Sequence, residues 1–307
     1  MKIWIIKAIV QKMISYLPWK HSVNYFFQKY ITRGVQLTDA YFEDKLMHAF
    51  NHIEYYKMHV GIPGFKVLEL GSGWYPVIPI YFYLNGASEI ISIDIAQHIT
   101  KKNLEKTIKK FLEYLSKIEF QDIFLHIDEN RKANLQYVLN ENKTLSADEI
   151  MLKLNMDFQI QDARKSHFES NYFELITSNN TFEHIYEKIL VDILIEFKRI
   201  LHPNGIMSHF IDMSDHFAHL DSNISIYNFL QFSEKQWKRI DNTIQPQNRL
   251  RINQYKDILK EASLAILEEI NRPGDMEIVK KMKLANPFSK FSCADVAVSH
   301  SHIVLQK

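Results

Sequence analysis

VLELGSGWYP, residues 67–76, reads as a buried strand running into a glycine-rich turn. Gly61, Pro63 and Gly64 punctuate the chain just before it, and the apolar run begins at Phe65. Gly71 and Gly73 permit a tight strand-to-helix turn and a close approach of backbone to a ligand. The next strand candidate, EIISID (89–94), ends in Asp94, 21 residues beyond Gly73. An acid there is placed to accept hydrogen bonds from the two hydroxyls of a ribose. A dinucleotide fingerprint would have a third glycine where this chain has Pro76. Proline lacks an N–H and crowds a pyrophosphate at a helix start. A P-loop ending in Gly-Lys-Ser/Thr is also missing. These residues favour a nucleoside that carries no pyrophosphate.

Outward from this turn, strands and helices alternate. Further strands are expected at 65–70, 157–161, 173–178, 205–212, 264–270 and 301–307, and a helix at 186–201. The tetrapeptide His202-Pro203-Asn204-Gly205 is expected to turn the chain from that helix into the fifth strand. Alternating βα units imply an α/β fold, a largely parallel sheet covered by helices. About sixty residues after Asp94 carry no convincing strand. There, 101–118 and 146–154 look helical, so residues 95–156 read as a helical insertion. Residues 1–60 read as a helical extension or cap, with helices over 2–17 and roughly 40–60. In the first of these, Ile3, Ile6, Val10, Met13 and Leu17 define an apolar side opposite Lys7, Gln11 and Ser15, and Pro18 ends the helix.

The chain has 307 residues, 46% apolar and 24% charged, enough to build a sizeable core. The net charge is +1, without the basic excess typical of nucleic-acid binders, so no nucleic-acid partner is expected. Cys293 is the one cysteine, which excludes a disulfide framework and a cysteine-rich zinc site. Lys2, Lys7, Lys12, Lys20, Lys29 and Arg33 precede the first acid, Asp39. The first helix could therefore lie on an anionic membrane surface or pack across the domain. Packing is the favoured reading, with the protein cytoplasmic.

The ordered motifs resemble those of the class I S-adenosylmethionine-dependent methyltransferases, over roughly residues 60–307. Glu69-Leu70-Gly71-Ser72-Gly73 looks like their first motif and ISIDIA, with Asp94, their second. Asp162-Ala163 is similar to their adenine-contacting pair, and FELITSNNTFEHI (173–185) to their fourth motif. The resemblance implies a Rossmann-like seven-stranded sheet, mostly parallel with the last strand antiparallel, filling a methyltransferase domain over 61–307. It implies S-adenosyl-L-methionine as cofactor. Glu69, Gly71, Ser72 and Gly73 would line its methionine end. Asp94 would hold the ribose, Ile95 would pack on the adenine, Asp162 and Ala163 would meet the adenine edge, and Asn179 would sit beside the sulfonium.

The end of the fourth strand reads Ser178-Asn179-Asn180-Thr181-Phe182, without the prolines common where amino groups of adenine or glutamine are methylated. Carbon methylation of cytosine would need a thiolate, and Cys293 is badly placed for it. A small-molecule or glycan/lipid-precursor acceptor, methylated on oxygen, is the expectation. His184, Asp212 and His216 are the catalytic candidates, because O-methylation benefits from a base. Imidazole and carboxylate also suit zinc or manganese, but no metal is assigned. Arg249 and Arg251 read either as anion binders or as surface salt bridges. The apolar run from Phe217 to Trp237 reads as an acceptor pocket or as a subdomain with its own core. Two rival functions are an NAD-dependent oxidoreductase, disfavoured by Pro76, and a non-catalytic nucleoside-binding scaffold.

Overall fold

The computed structural model describes residues 3–16, 36–141 and 143–307. Leu17, Pro18 and the basic residues Lys2, Lys20, Lys29 and Arg33 lie outside the described residues. Among the described residues there are seven strands: β1 (Lys66–Leu70), β2 (Glu89–Asp94), β3 (Met156–Ile160), β4 (Phe173–Asn179), β5 (Leu201–Asp212), β6 (Ala265–Arg272) and β7 (His300–Gln306). They form one sheet in the order β3-β2-β1-β4-β5-β7-β6, with β7 antiparallel. The expected Rossmann-like architecture is therefore the one observed.

The chain divides into two compact units. One comprises Leu37–Asn179, Ile193–His209 and Val304–Lys307. Here β1 pairs in parallel with β2 and β4, and β2 with β3. The register sets Leu70 opposite both Ile93 and Ser178, which brings the carboxyl ends of β1, β2 and β4 side by side. Val67, Leu68, Ile90, Ile93, Leu175 and Ile176 are buried, as expected for strands covered on both faces. Helix α2 (Asp39–His59) starts at Thr38, whose side chain accepts from the Tyr41 N–H. Helix α3 (Val77–Leu84) is buried throughout. The insertion supplies α4 (Lys101–Tyr114), α5 (Glu129–Asn140) and α6 (Ala147–Lys153). In α4, Leu104, Ile108 and Phe111 recur at helical spacing and are all buried. Ser146 and Glu149 close a capping box on α6.

Helix α7 (Glu187–Ile200) runs straight into β5, and residues 202–205 are already strand. This corrects the expected turn at His202–Gly205. The physical reason is backbone proximity: a Cβ on Gly205 would lie 2.8 Å from the Glu174 carbonyl oxygen. Glycine here allows close approach to β4 and does not serve to reverse the chain.

The other unit takes in described residues of Met1–Gln36 together with Asn180–Asp192 and Phe210–Ile303. It contains α1 (Ile3–Ile14), α8 (Glu234–Ile240), α9 (Ile252–Glu261), α10 (Met276–Lys281) and α11 (Cys293–Ala297). Its core is a cluster of Trp4, Phe217, Tyr227, Phe229, Trp237 and Phe288 with their neighbours. The aromatic run after residue 216 thus builds the core of this unit. Helix α1 packs as expected, but through a different face. Trp4, Ala8, Gln11 and Ile14 are buried, while Ile3, Ile6 and Met13 are exposed. Polar contacts accompany that choice: the Trp4 backbone N–H donates to Asp221, the Gln11 amide to Gln245, and the Lys12 ammonium to the carbonyls of Lys238 and Asp241. A helix rotated to bury Ile3 and Met13 would give up those bonds.

Candidate active site

The turn after β1 is tied to the end of β2. Gly71 and Gly73 have φ of 88° and 58°, values that favour glycine. The Gly71 N–H donates to the Ile93 carbonyl at 2.9 Å. Asp94 Oδ2 accepts from the Ser72 N–H at 3.0 Å and from Ser72 Oγ at 3.2 Å. Its Oδ1 accepts from the Ile95 N–H at 2.7 Å. The glycine turn and the acid therefore share one edge of the sheet. Ile95 projects from the strand tip with 80% exposure, and a Cβ added to Gly73 would meet no atom within 4 Å. Open space faces the turn, a carboxylate stands at its side, and an apolar residue waits beyond. These residues fit an adenosyl group.

Glu69 is buried in β1 and accepts from Ser92 Oγ at 2.7 Å. Burial pushes its carboxyl up to about 8, with Asp94 adding to the rise and Ser92 and Lys45 opposing it. The unfolded chain releases this proton near pH 4.5, whereas the folded chain keeps it to about pH 8. Folded protein thus binds more protons across that window, so stability falls as pH rises from 4.5 to 8 and levels above it. Glu69→Gln keeps an acceptor for Ser92 and is expected to flatten this dependence. Urea midpoints of both proteins at either end of the window measure it, and parallel profiles would contradict it.

Asn179 ends β4. Its Nδ2 donates to His52 Nε2 at 2.7 Å, and His52 Nδ1 lies 2.7 Å from Ser208 Oγ. The buried His52 of α2 thereby fixes the Asn179 amide. Helix α2 also supplies Tyr41 and Lys45, which bear electrostatically on Glu69 and its neighbours. Trp74 and His98 pack ring to ring at 4.5 Å, with His98 Nε2 3.9 Å from Asp94. None of these five was singled out from sequence. A lone histidine or aromatic on an amphipathic helix carries no local signal that separates a site from a core. Asp162 is exposed, and Arg164 holds its carboxyl down at about 2 through side-chain and backbone bonds. Ala163 beside it is buried. The Asp162 acceptors are thus committed to a neighbour in the same loop.

A second constellation lies in the other unit. His184 ends a single 3-10 turn, Phe182–His184. Asn248 pins this turn, its side chain donating to the carbonyls of Phe182 and Ile185 and its N–H to that of Glu183. His184 Nδ1 donates to the Pro246 carbonyl at 2.6 Å. Burial and the nearby His216 ring push the His184 imidazole down to about 4, so it is neutral at neutral pH. The two rings meet edge to face at 4.9 Å. His216 Nε2 and His300 Nε2 each lie 3.4 Å from an Asp212 oxygen. Burial alone would raise the Asp212 carboxyl, but His216, His300 and the Ser214 N–H hold it well below the usual range. The fold brings His184, Asp212 and His216 together, although 28 residues separate the first two. Asp215, in contrast, turns to the Phe217 N–H and the Asn228 amide.

Both arginines are structural. Arg251 is fully buried and donates to the carbonyls of Met213, Val296 and Val298. Arg249 donates to those of Phe229 and Phe232 and pairs with Glu234. The expected choice between anion binding and surface pairing is corrected for Arg251 in particular: backbone carbonyls far along the chain capture its guanidinium.

The family model described as a methyltransferase domain matches residues 125–208. Among solved structures, the chain is similar to a Galdieria sulphuraria protein assigned as a sarcosine dimethylglycine methyltransferase. The identity is 16% and the TM-score 0.46, over 85% of this chain and 86% of that one. A Leishmania major S-adenosylmethionine-dependent methyltransferase is 11% identical with a TM-score of 0.46, over 99% and 83% of the two chains. No curated protein sequence matches the chain.

Proposed function

We propose that this chain is a class I S-adenosylmethionine-dependent methyltransferase and that it methylates a hydroxyl group of a small molecule or of a glycan or lipid precursor. The observation that carries the hydroxyl is the paired Asp212 and His216 beside neutral His184. A hydroxyl must shed its proton as it is methylated, and a carboxylate-oriented imidazole can take one. The cofactor supplies a methyl group on a cationic sulfur, open to in-line attack. The chain's part is to align and to exclude water. In this reading, Asp94 and Ser72 hold the ribose side, the glycine turn admits the methionine end, and Asn179, locked by His52, keeps one orientation. The near-neutral charge and the absence of proline after Asn179 support a small acceptor over a nucleic acid.

Turnover is read as release of the demethylated cofactor against a panel of hydroxylated and amino acceptors. A hydroxylated acceptor is expected to turn over, and His216→Ala is expected to lower kcat by about 10²- to 10⁴-fold with cofactor affinity unchanged. Turnover with amines alone would overturn the choice of oxygen.

A further inference from the structure

Among the described residues, Glu183, His184 and His216 each present a ligand atom, and these atoms lie within 4.8 Å of one another. We propose that this trio binds a divalent first-row transition metal ion. Two imidazoles and a carboxylate form a donor set of intermediate softness. It suits zinc, iron, cobalt or manganese better than calcium or magnesium, which prefer all-oxygen shells.

Two further features match such a site. Metal-bound histidine usually gives its second ring N–H to a carbonyl or carboxylate, which fixes the tautomer. His184 does so: Nδ1–H donates to the Pro246 carbonyl at 2.6 Å, which leaves the lone pair on Nε2. His216 Nε2 lies 3.4 Å from an Asp212 oxygen, and its Nδ1 lies 3.5 Å from the Gln245 amide. Finally, the ligands stand on a braced scaffold. Asn248 spans the turn that carries Glu183 and His184, and the His216 N–H donates to the Gln247 side chain at 3.2 Å. Glu183 itself is buried. His184 is only partly buried, leaving a side open for a further ligand.

The catalytic consequence rests on the hydroxyl reading above. A bound dication would lower the pKa of a coordinated hydroxyl and so ease the proton transfer that the hydroxyl reading requires.

The test needs no acceptor. Full-length protein is stripped with a chelator and titrated with Co²⁺, followed by its visible absorption and by calorimetry, with Zn²⁺ as competitor. One equivalent is expected to bind, with ligand-field bands that Zn²⁺ abolishes. Glu183→Gln and His216→Ala are expected to weaken binding by about 100-fold or more, while His219→Ala leaves it intact. Circular dichroism of each variant separates lost ligation from lost fold, and the near-isosteric Glu183→Gln keeps the test decisive if His216→Ala misfolds. No stoichiometric binding, or equal binding in the folded Glu183 and His216 variants, overturns the site. Calorimetry of the stripped protein with S-adenosylmethionine keeps this outcome distinct from failure of the methyltransferase reading.

Discussion

Arg251→Ala is expected to destabilise the protein by about 3–5 kcal/mol, the cost of breaking a fully buried charged network. Arg251 has the largest fully buried side chain among the described residues. It gathers the carbonyls of Met213, Val296 and Val298, which stand 38 to 47 residues away in sequence. Burial lowers its pKa only to about 10, so it is charged at neutral pH. Alanine would leave three buried carbonyls without their donor and open a cavity, and each orphaned group costs about 1–3 kcal/mol. Lysine retains the charge but cannot fork across three acceptors, so Arg251→Lys should recover only part of the loss. Chemical denaturation of the three proteins measures this. A change of under about 1 kcal/mol for alanine would show that the guanidinium does not hold these segments together.

Asp94→Ala is expected to weaken S-adenosylmethionine binding by 100-fold or more, with the fold retained. Hydrogen bonds to a charged acceptor contribute about 1.5–3 kcal/mol each, and a ribose offers two hydroxyls, so about 3 kcal/mol or more is at stake. That difference exceeds two decades in Kd. The same substitution releases Ser72, whose N–H and hydroxyl both donate to Asp94 Oδ2. The turn would therefore loosen as the ligand contact is lost. Asp94→Asn keeps one acceptor oxygen and should fall between the two. Calorimetric titration of the three proteins is the measurement, and wild-type affinity in the alanine variant would remove Asp94 from the cofactor site.

The strand-turn-strand passage from Glu69 to Asp94 is legible because its signals are local. A buried run, two glycines and an acid at a fixed spacing permit one arrangement in a parallel βαβ unit. Asn179 entered only through the resemblance of residues 173–185 to the fourth motif. His52 was missed, because its role depends on α2 passing β4 and β5, and nothing in the helical pattern marks which histidine faces Asn179. The pairing of His184 with His216 was within reach only as two separate runs, since their approach depends on how two chain segments pack.

Helix α1 shows the boundary from the other side. Its periodicity pointed to an apolar side with Ile3, Ile6, Val10 and Met13. The packed unit buries Trp4 and Gln11 instead, with the Trp4 backbone N–H donating to Asp221 and the Gln11 amide to Gln245. At residues 202–205 the proline and glycine read as a turn, whereas close approach to the Glu174 carbonyl makes Gly205 part of a strand.

By itself the sequence determined the α/β class, the order of the strands along the chain, the glycine turn and the acid that accompanies it, all of which follow from short-range spacing and backbone sterics. The tertiary structure alone decided which face of α1 is covered, that Arg251 clamps backbone and binds no anion, and that Glu183, His184 and His216 converge. Each of those depends on polar groups finding partners tens of residues away, and in a buried environment the cost of an unsatisfied donor or charge outweighs any local preference.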